Sequence, residues 1–105
     1  MLKKIKHRLT GSQMNALNEC IILIDCEEHH NNLTWTMVLC LFAEIQYMIA
    51  LKCVIVKPNN LISFTYAQAA SFNLLMEQYV NDLTTFEKNV VQAVINMNDL
   101  KLKSL

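Results

Sequence analysis

Two short stretches of this chain carry the same helix-start signal. Leu9-Thr10-Gly11-Ser12-Gln13 and Phe64-Thr65-Tyr66-Ala67-Gln68 each set an apolar residue before Thr and Gln three positions after it. Four residues further on come Leu17 and Phe72. A Thr hydroxyl can accept from the amide three residues on while the Gln side chain reaches back to the Thr amide, a capping box. A second echo sets Asn31-Asn32-Leu33-Thr34 against Asn81-Asp82-Leu83-Thr84. The pattern predicts two similar helical units in one chain.

The chain has one Gly and one Pro in 105 residues. That excludes a glycine-rich phosphate loop, a disordered linker and a turn-rich all-β fold. Long helices joined by short polar connections remain, arranged as one domain over residues 1–105.

Residues 3–9 alternate, with Lys4, Lys6 and Arg8 on one side and Ile5, His7 and Leu9 on the other. Period two predicts an extended segment, an edge strand guarded by lysines or a frayed basic arm. Thr10 then starts a helix that the spacing of Met14, Leu17, Ile21 and Ile24 carries to about His30. A second helix over about 33–52 is apolar nearly all round, so it is central or lies in an oligomer interface. Cys53-Val54-Ile55-Val56 and Leu61-Ile62-Ser63-Phe64 flank Lys57-Pro58-Asn59-Asn60 and read as a short β-hairpin near residues 53–64. The competing reading lets the second helix run on to stop before Pro58. A third helix spans about 66–81 and a fourth starts at Thr84 or Thr85. The fold class is therefore mainly α: four helices in two helical hairpins, over 10–52 and 65–105, joined by the 53–64 connector.

Apolar residues make up 53% of the chain and charged residues 17%. A domain this small cannot hide so many apolar groups, which points to a partner, most simply a second copy of the chain. Along the second helix, Trp35, Phe42 and Ile49 form the stripe singled out as an interface. By length alone this helix would also span a membrane, but Glu44 at its centre makes a buried core helix the better account.

The net charge is zero but segregated: Lys3, Lys4, Lys6 and Arg8 crowd the start, and no Lys or Arg follows until Lys52. Those four are the candidate phosphate contacts of a nucleic-acid accessory protein, although no helix shows a basic recognition face. Their other expected use is pairing with the acidic stretch Asp25–Glu28. Cys20, Cys26, Cys40 and Cys53 lie in apolar or helical stretches with no signal peptide ahead of them, so they read as reduced thiols in a cytoplasmic protein.

Chemistry has few candidates. Cys26, Glu27 and His30 could share a helix face, but Glu-x-x-His is one half of a di-iron site and no second copy exists. A structural zinc wants four ligands in paired spacing. Glu44, if buried, would have a raised pKa, yet no partner for acid–base work stands near it in sequence. No catalytic residue and no cofactor is expected. The sequence favours a non-catalytic interaction or structural protein that self-associates, with the basic-arm nucleic-acid protein and a small metal enzyme at Cys26–His30 as alternatives.

Overall fold

In a computed structural model, the described residues are 3–26 and 32–104. Strand β1 (Lys4–Thr10) leads into α1 (Gly11–Ile22), which a connector joins to α2 (Leu33–Lys52). Strand β2 (Asn59–Thr65) leads in the same way into α3 (Tyr66–Met76); a 3-10 turn over Val80–Asp82 then precedes α4 (Thr85–Leu102). The chain is thus a strand–helix–helix unit used twice. The N-caps behave as the sequence predicts: Thr10 with Gln13 and Thr65 with Gln68 each close a complete capping box. A third box, Thr84 with Glu87, starts α4.

The two strands pair with each other, antiparallel, from Lys4 opposite Thr65 to Thr10 opposite Asn59. This register and the helix starts describe one pseudo-twofold axis. Thr10 and Thr65 stand 55 positions apart, and the residue 55 positions after His7 is Ile62, which faces it across the ladder. The buried residues of α1 (Met14, Ala16, Leu17, Cys20 and Ile21) fall, at the same offset, on Ala69, Ser71, Phe72, Leu75 and Met76, all buried in α3. The second helices match at an offset of 52, from N-cap Asn32 to N-cap Thr84, with Val38, Leu39 and Phe42 answering to Val90, Val91 and Val94. The second sequence echo therefore does not align the helices, because Thr34 lies inside α2 whereas Thr84 is a cap.

The core lies beneath the sheet. Ile5, His7 and Leu9 from β1 and Ile62 and Phe64 from β2 point inward, while Lys4, Lys6 and Arg8 point out. Phe64, Phe72 and Phe42 form an aromatic chain with centroids 5.5 and 6.1 Å apart, and His7 joins it 5.3 Å from Phe64. The helices touch within each unit and also across: α2 lies on α3, and α1 on α4. One polar network crosses this interior. Asn73 donates to the Ile95 carbonyl (3.2 Å), Asn98 donates to Asn73 Oδ1 (3.1 Å), and Asn98 Oδ1 is left to face His7 Nε2 at 2.8 Å. An amide oxygen only accepts, so the His7 proton sits on Nε2.

Three expectations need correction. The β-hairpin near 53–64 does not form: 53–58 is a run of turns, Val54 and Ile55 are exposed, and β2 finds its partner in β1. The cause is local. Cys53 closes α2 by donating back to Ile49 and Ala50. Asn60 then clamps the next turn, accepting from Lys57 N and donating to the Lys57 and Leu9 carbonyls. Pro58 has no N–H to offer a ladder. Second, α1 stops at Ile22 instead of running to about His30, since Gln46 Nε2 reaches from α2 to the Ile21 and Ile24 carbonyls (2.6 and 2.8 Å) and satisfies the helix end. Third, α3 ends at Met76, and Val80–Asp82 is a separate 3-10 turn. Gly11 is explained by a close approach, for a Cβ there would stand 3.1 Å from Val56 and 3.2 Å from the Lys57 carbonyl.

Candidate functional site

The basic residues picked out from sequence occupy a built surface. Lys4, Lys6 and Arg8 follow one another on the outer face of β1, at roughly 7 Å spacing given the rise of a strand. Lys3 is exposed just before them. Their ladder partners on the same face are Thr65, Ser63 and Leu61. Neither strand contains an acidic residue, and among the described residues no carboxylate pairs with these cations. Asp25, the described part of the acidic stretch expected to pair with them, lies beside Trp35, Tyr79 and Asp82, near the far end of α1. The strand is anchored by the inward Ile5, His7 and Leu9 and paired along its length with β2, so the cations sit on an ordered ribbon and not on a frayed arm.

The second surface is the outer side of α2. Its core side presents Val38, Leu39, Phe42, Ile45 and Ile49 to the interior. Two of the three residues expected at an interface, Phe42 and Ile49, are therefore fully buried and have no surface to offer; Trp35 is half-buried against the same core. On the opposite side run Leu33, Met37, Cys40, Glu44, Tyr47 and Leu51, all exposed, at spacings of four and three. Exposed Val54 and Ile55 extend this stripe into an open groove with Leu61, Lys52 and Lys57. The helix is long and apolar enough to cross a membrane by length and composition, although its inner side is packed within the chain.

The reactive candidates fare differently. Glu44 is exposed and accepts from Gln68 Nε2 at 3.1 Å, so the buried acid considered from sequence does not exist. Cys26 donates its thiol to Gln46 Oε1 at 3.3 Å, and burial raises its pKa; Glu27 and His30 lie outside the described residues. The described residues hold no group of three or more potential metal ligands. Burial, with Glu87 and Glu19 nearby, pushes the Cys20 thiol up to about 12, and burial also raises Cys53. Thiols held protonated in this way are poor nucleophiles. His7 is turned into the core, and burial lowers its pKa more than its bond to Asn98 raises it.

What sequence reasoning missed is the apolar seam on the outside of α2 and the β2 half of the ribbon. The first was legible as a four-three spacing but hidden by an equally apolar stripe on the inner side.

The architecture is two strand–helix–helix units joined through one antiparallel ribbon. Compared with models of protein families, with curated proteins and with solved structures, the chain matches none.

Proposed function

We propose that the chain is a non-catalytic binding protein that lays the outer face of its ribbon on duplex DNA. The observation that carries this reading is the row Lys4, Lys6, Arg8 on an open two-stranded ribbon without an acidic residue in either strand. Lysines also guard an open sheet edge, so the reading rests on the continuous row together with the acid-free partner strand. A two-stranded ribbon fits the roughly 12 Å major groove of B-form DNA, where Arg and Lys read guanine and an apolar side chain such as Leu61 can meet a thymine methyl. The major groove of an RNA duplex is too deep and narrow for side chains to read. Single strands are favoured by aromatic platforms, and the outer face of this ribbon carries none. The cations lie on β1 alone, so the two halves of the ribbon would meet unlike sequences. Salt-dependent binding of a labelled DNA duplex tests the reading; a folded protein without such binding removes it.

A second reading, the one the sequence itself favours, is self-association. The outer stripe of α2 supports it, and the two readings are compatible, since a pair of chains would bring two ribbons to one duplex.

A further inference from the structure

Resting on the self-association reading, we infer that α2 pairs with α2 of a second copy of this chain, antiparallel, in the register that sets Glu44 against Tyr47 of the partner subunit. The internal repeat supplies a control for how unusual the stripe is. At the offset of 52 that aligns the second helices, Leu33, Met37, Cys40, Glu44, Tyr47 and Leu51 answer to Thr85, Asn89, Gln92, Asn96, Asp99 and Lys103. Every counterpart on α4 is polar. Four of them pair along the helix, Gln92 with Asn96 at 2.9 Å and Asp99 with Lys103 at 2.9 Å. The same place in the same fold is thus solvated in one unit and apolar in the other.

The exposed apolar area is large enough for a dimer. Leu33, Met37, Tyr47, Leu51, Val54 and Ile55 are each 55 to 77% exposed. At roughly 200 Å² for a large side chain in the open, they leave on the order of 800 Å² uncovered, the share each partner gives to a standard stable interface. The four-three spacing is that of a coiled-coil seam. Ala43 and Ala50, seven positions apart along one border, are small enough to let a second helix come close.

Glu44 selects the orientation and the register. Parallel pairing, or antiparallel pairing centred on residue 44, would oppose the two carboxylates. Shifting the antiparallel helices by half a heptad sets Glu44 opposite Tyr47 and Cys40 opposite Leu51, with Met37 facing the turn that follows the partner helix, and these pairs map onto themselves, as a twofold interface requires. Each tyrosine hydroxyl donates to a carboxylate, so neither charge is buried without a partner. A full heptad in the other direction would leave Glu44 only the weak thiol donor of Cys40.

Sedimentation equilibrium combined with disulfide mapping tests this. Wild-type chain is expected at twice its 12.1 kDa in the micromolar range. Leu51→Cys, in a chain with Cys26→Ser and Cys53→Ser, should oxidise to a covalent dimer through the native, exposed Cys40. Tyr47→Phe should raise the dissociation constant about tenfold or more while leaving the melting temperature of the monomer unchanged. A dimer that Leu51→Cys does not cross-link, but that a Leu33→Cys, Leu51→Cys double variant does, overturns the register and leaves self-association standing. A folded monomer at every concentration overturns both. A monomer that floats with neutral phosphatidylcholine vesicles assigns the stripe to a lipid surface and overturns the pairing.

Discussion

If the ribbon binds duplex DNA, removing its charges should change the salt dependence of binding by a calculable amount. Lys4, Lys6 and Arg8, with Lys3 beside them, can neutralise three or four phosphates. At a slope of about −0.9 in log K per log salt for each neutralised phosphate, affinity should fall roughly 40- to 150-fold between 50 and 200 mM salt. Changing Lys6 to Ala should flatten the slope by about one, and changing Lys4, Lys6 and Arg8 together should leave a slope of about one or less. Folding should hardly notice. The three positions are exposed, and at about 7 Å in water each like pair costs about 0.6 kcal/mol before screening by salt, so their loss is neutral or slightly favourable. Fluorescence anisotropy of a labelled duplex over a salt series reads the slope, and a thermal melt confirms the fold. Lys101→Ala with Lys103→Ala makes the control, to be set against Lys4→Ala with Lys6→Ala, because it removes two charges from the end of α4 and not from the ribbon. The argument fails if the triple variant keeps the wild-type slope, or if the control flattens it as much as the ribbon double variant does.

The interior makes further predictions. Burial lowers the His7 pKa from its usual 6.5, so the unfolded chain binds a proton that the folded chain refuses. Stability is then complete above about pH 6.5 and declines below it at up to about 1.4 kcal/mol per pH unit until the folded-state pKa is reached. Urea midpoints between pH 5 and 8 should show this slope, and His7→Gln should lose it. Asn98→Ala strands His7 Nε2 and Asn73 Oδ1 in the core and should cost about 2–4 kcal/mol in the same titration. On α2, Phe42→Ala should cost about 3–5 kcal/mol, whereas Met37→Ala should move monomer stability by less than about 0.5 kcal/mol. A reversal of that order in denaturation would mean that the helix is rotated from the orientation described. Thr65→Ala should cost about 1 kcal/mol by removing the α3 cap, read as a lower melting temperature.

Elements set by neighbours in sequence could be read without the structure; those set across the chain could not. The alternation of Lys4 to Leu9 gave β1 with its faces the right way round, and Thr10 with Gln13 and Thr65 with Gln68 placed two helix starts to the residue. Thr84 with Glu87 carried the same signal and could have settled the start of α4. The end of α1 could not be found this way, because the side chain that satisfies its carbonyls, Gln46, stands 22 to 25 positions downstream. Cys53 to Val56 has the composition of a strand, but a strand needs a partner, and β2 was taken by β1 more than fifty residues away. Asn98 reads as a polar surface residue of α4 until His7, 91 positions distant, is seen to hold it in the core. For α2 the two apolar seams are equivalent on paper, and only packing shows that Phe42 and Ile49 face in while Met37 and Tyr47 face out.

The pseudo-twofold axis separates what folding requires from what it does not. Residues related by the axis agree in burial along α1 and α3 and along the first half of α2 and α4, since both units close over one core. The exposed positions diverge: Leu74 and Phe86 of the second unit answer to Glu19 and Thr34, and two continuous faces of the first unit depart as well. On the ribbon, Lys4, Lys6 and Arg8 stand where the second unit has Asn59, Leu61 and Ser63. On the second helix, Met37, Tyr47 and Leu51 stand where it has Asn89, Asp99 and Lys103. Both departures fall in the first unit. Both carry a cost: the cations repel one another, and apolar groups remain in water where α4 has polar ones. Two costs of that kind, each confined to one continuous face, are what a chain would carry if β1 met phosphates and α2 met a partner.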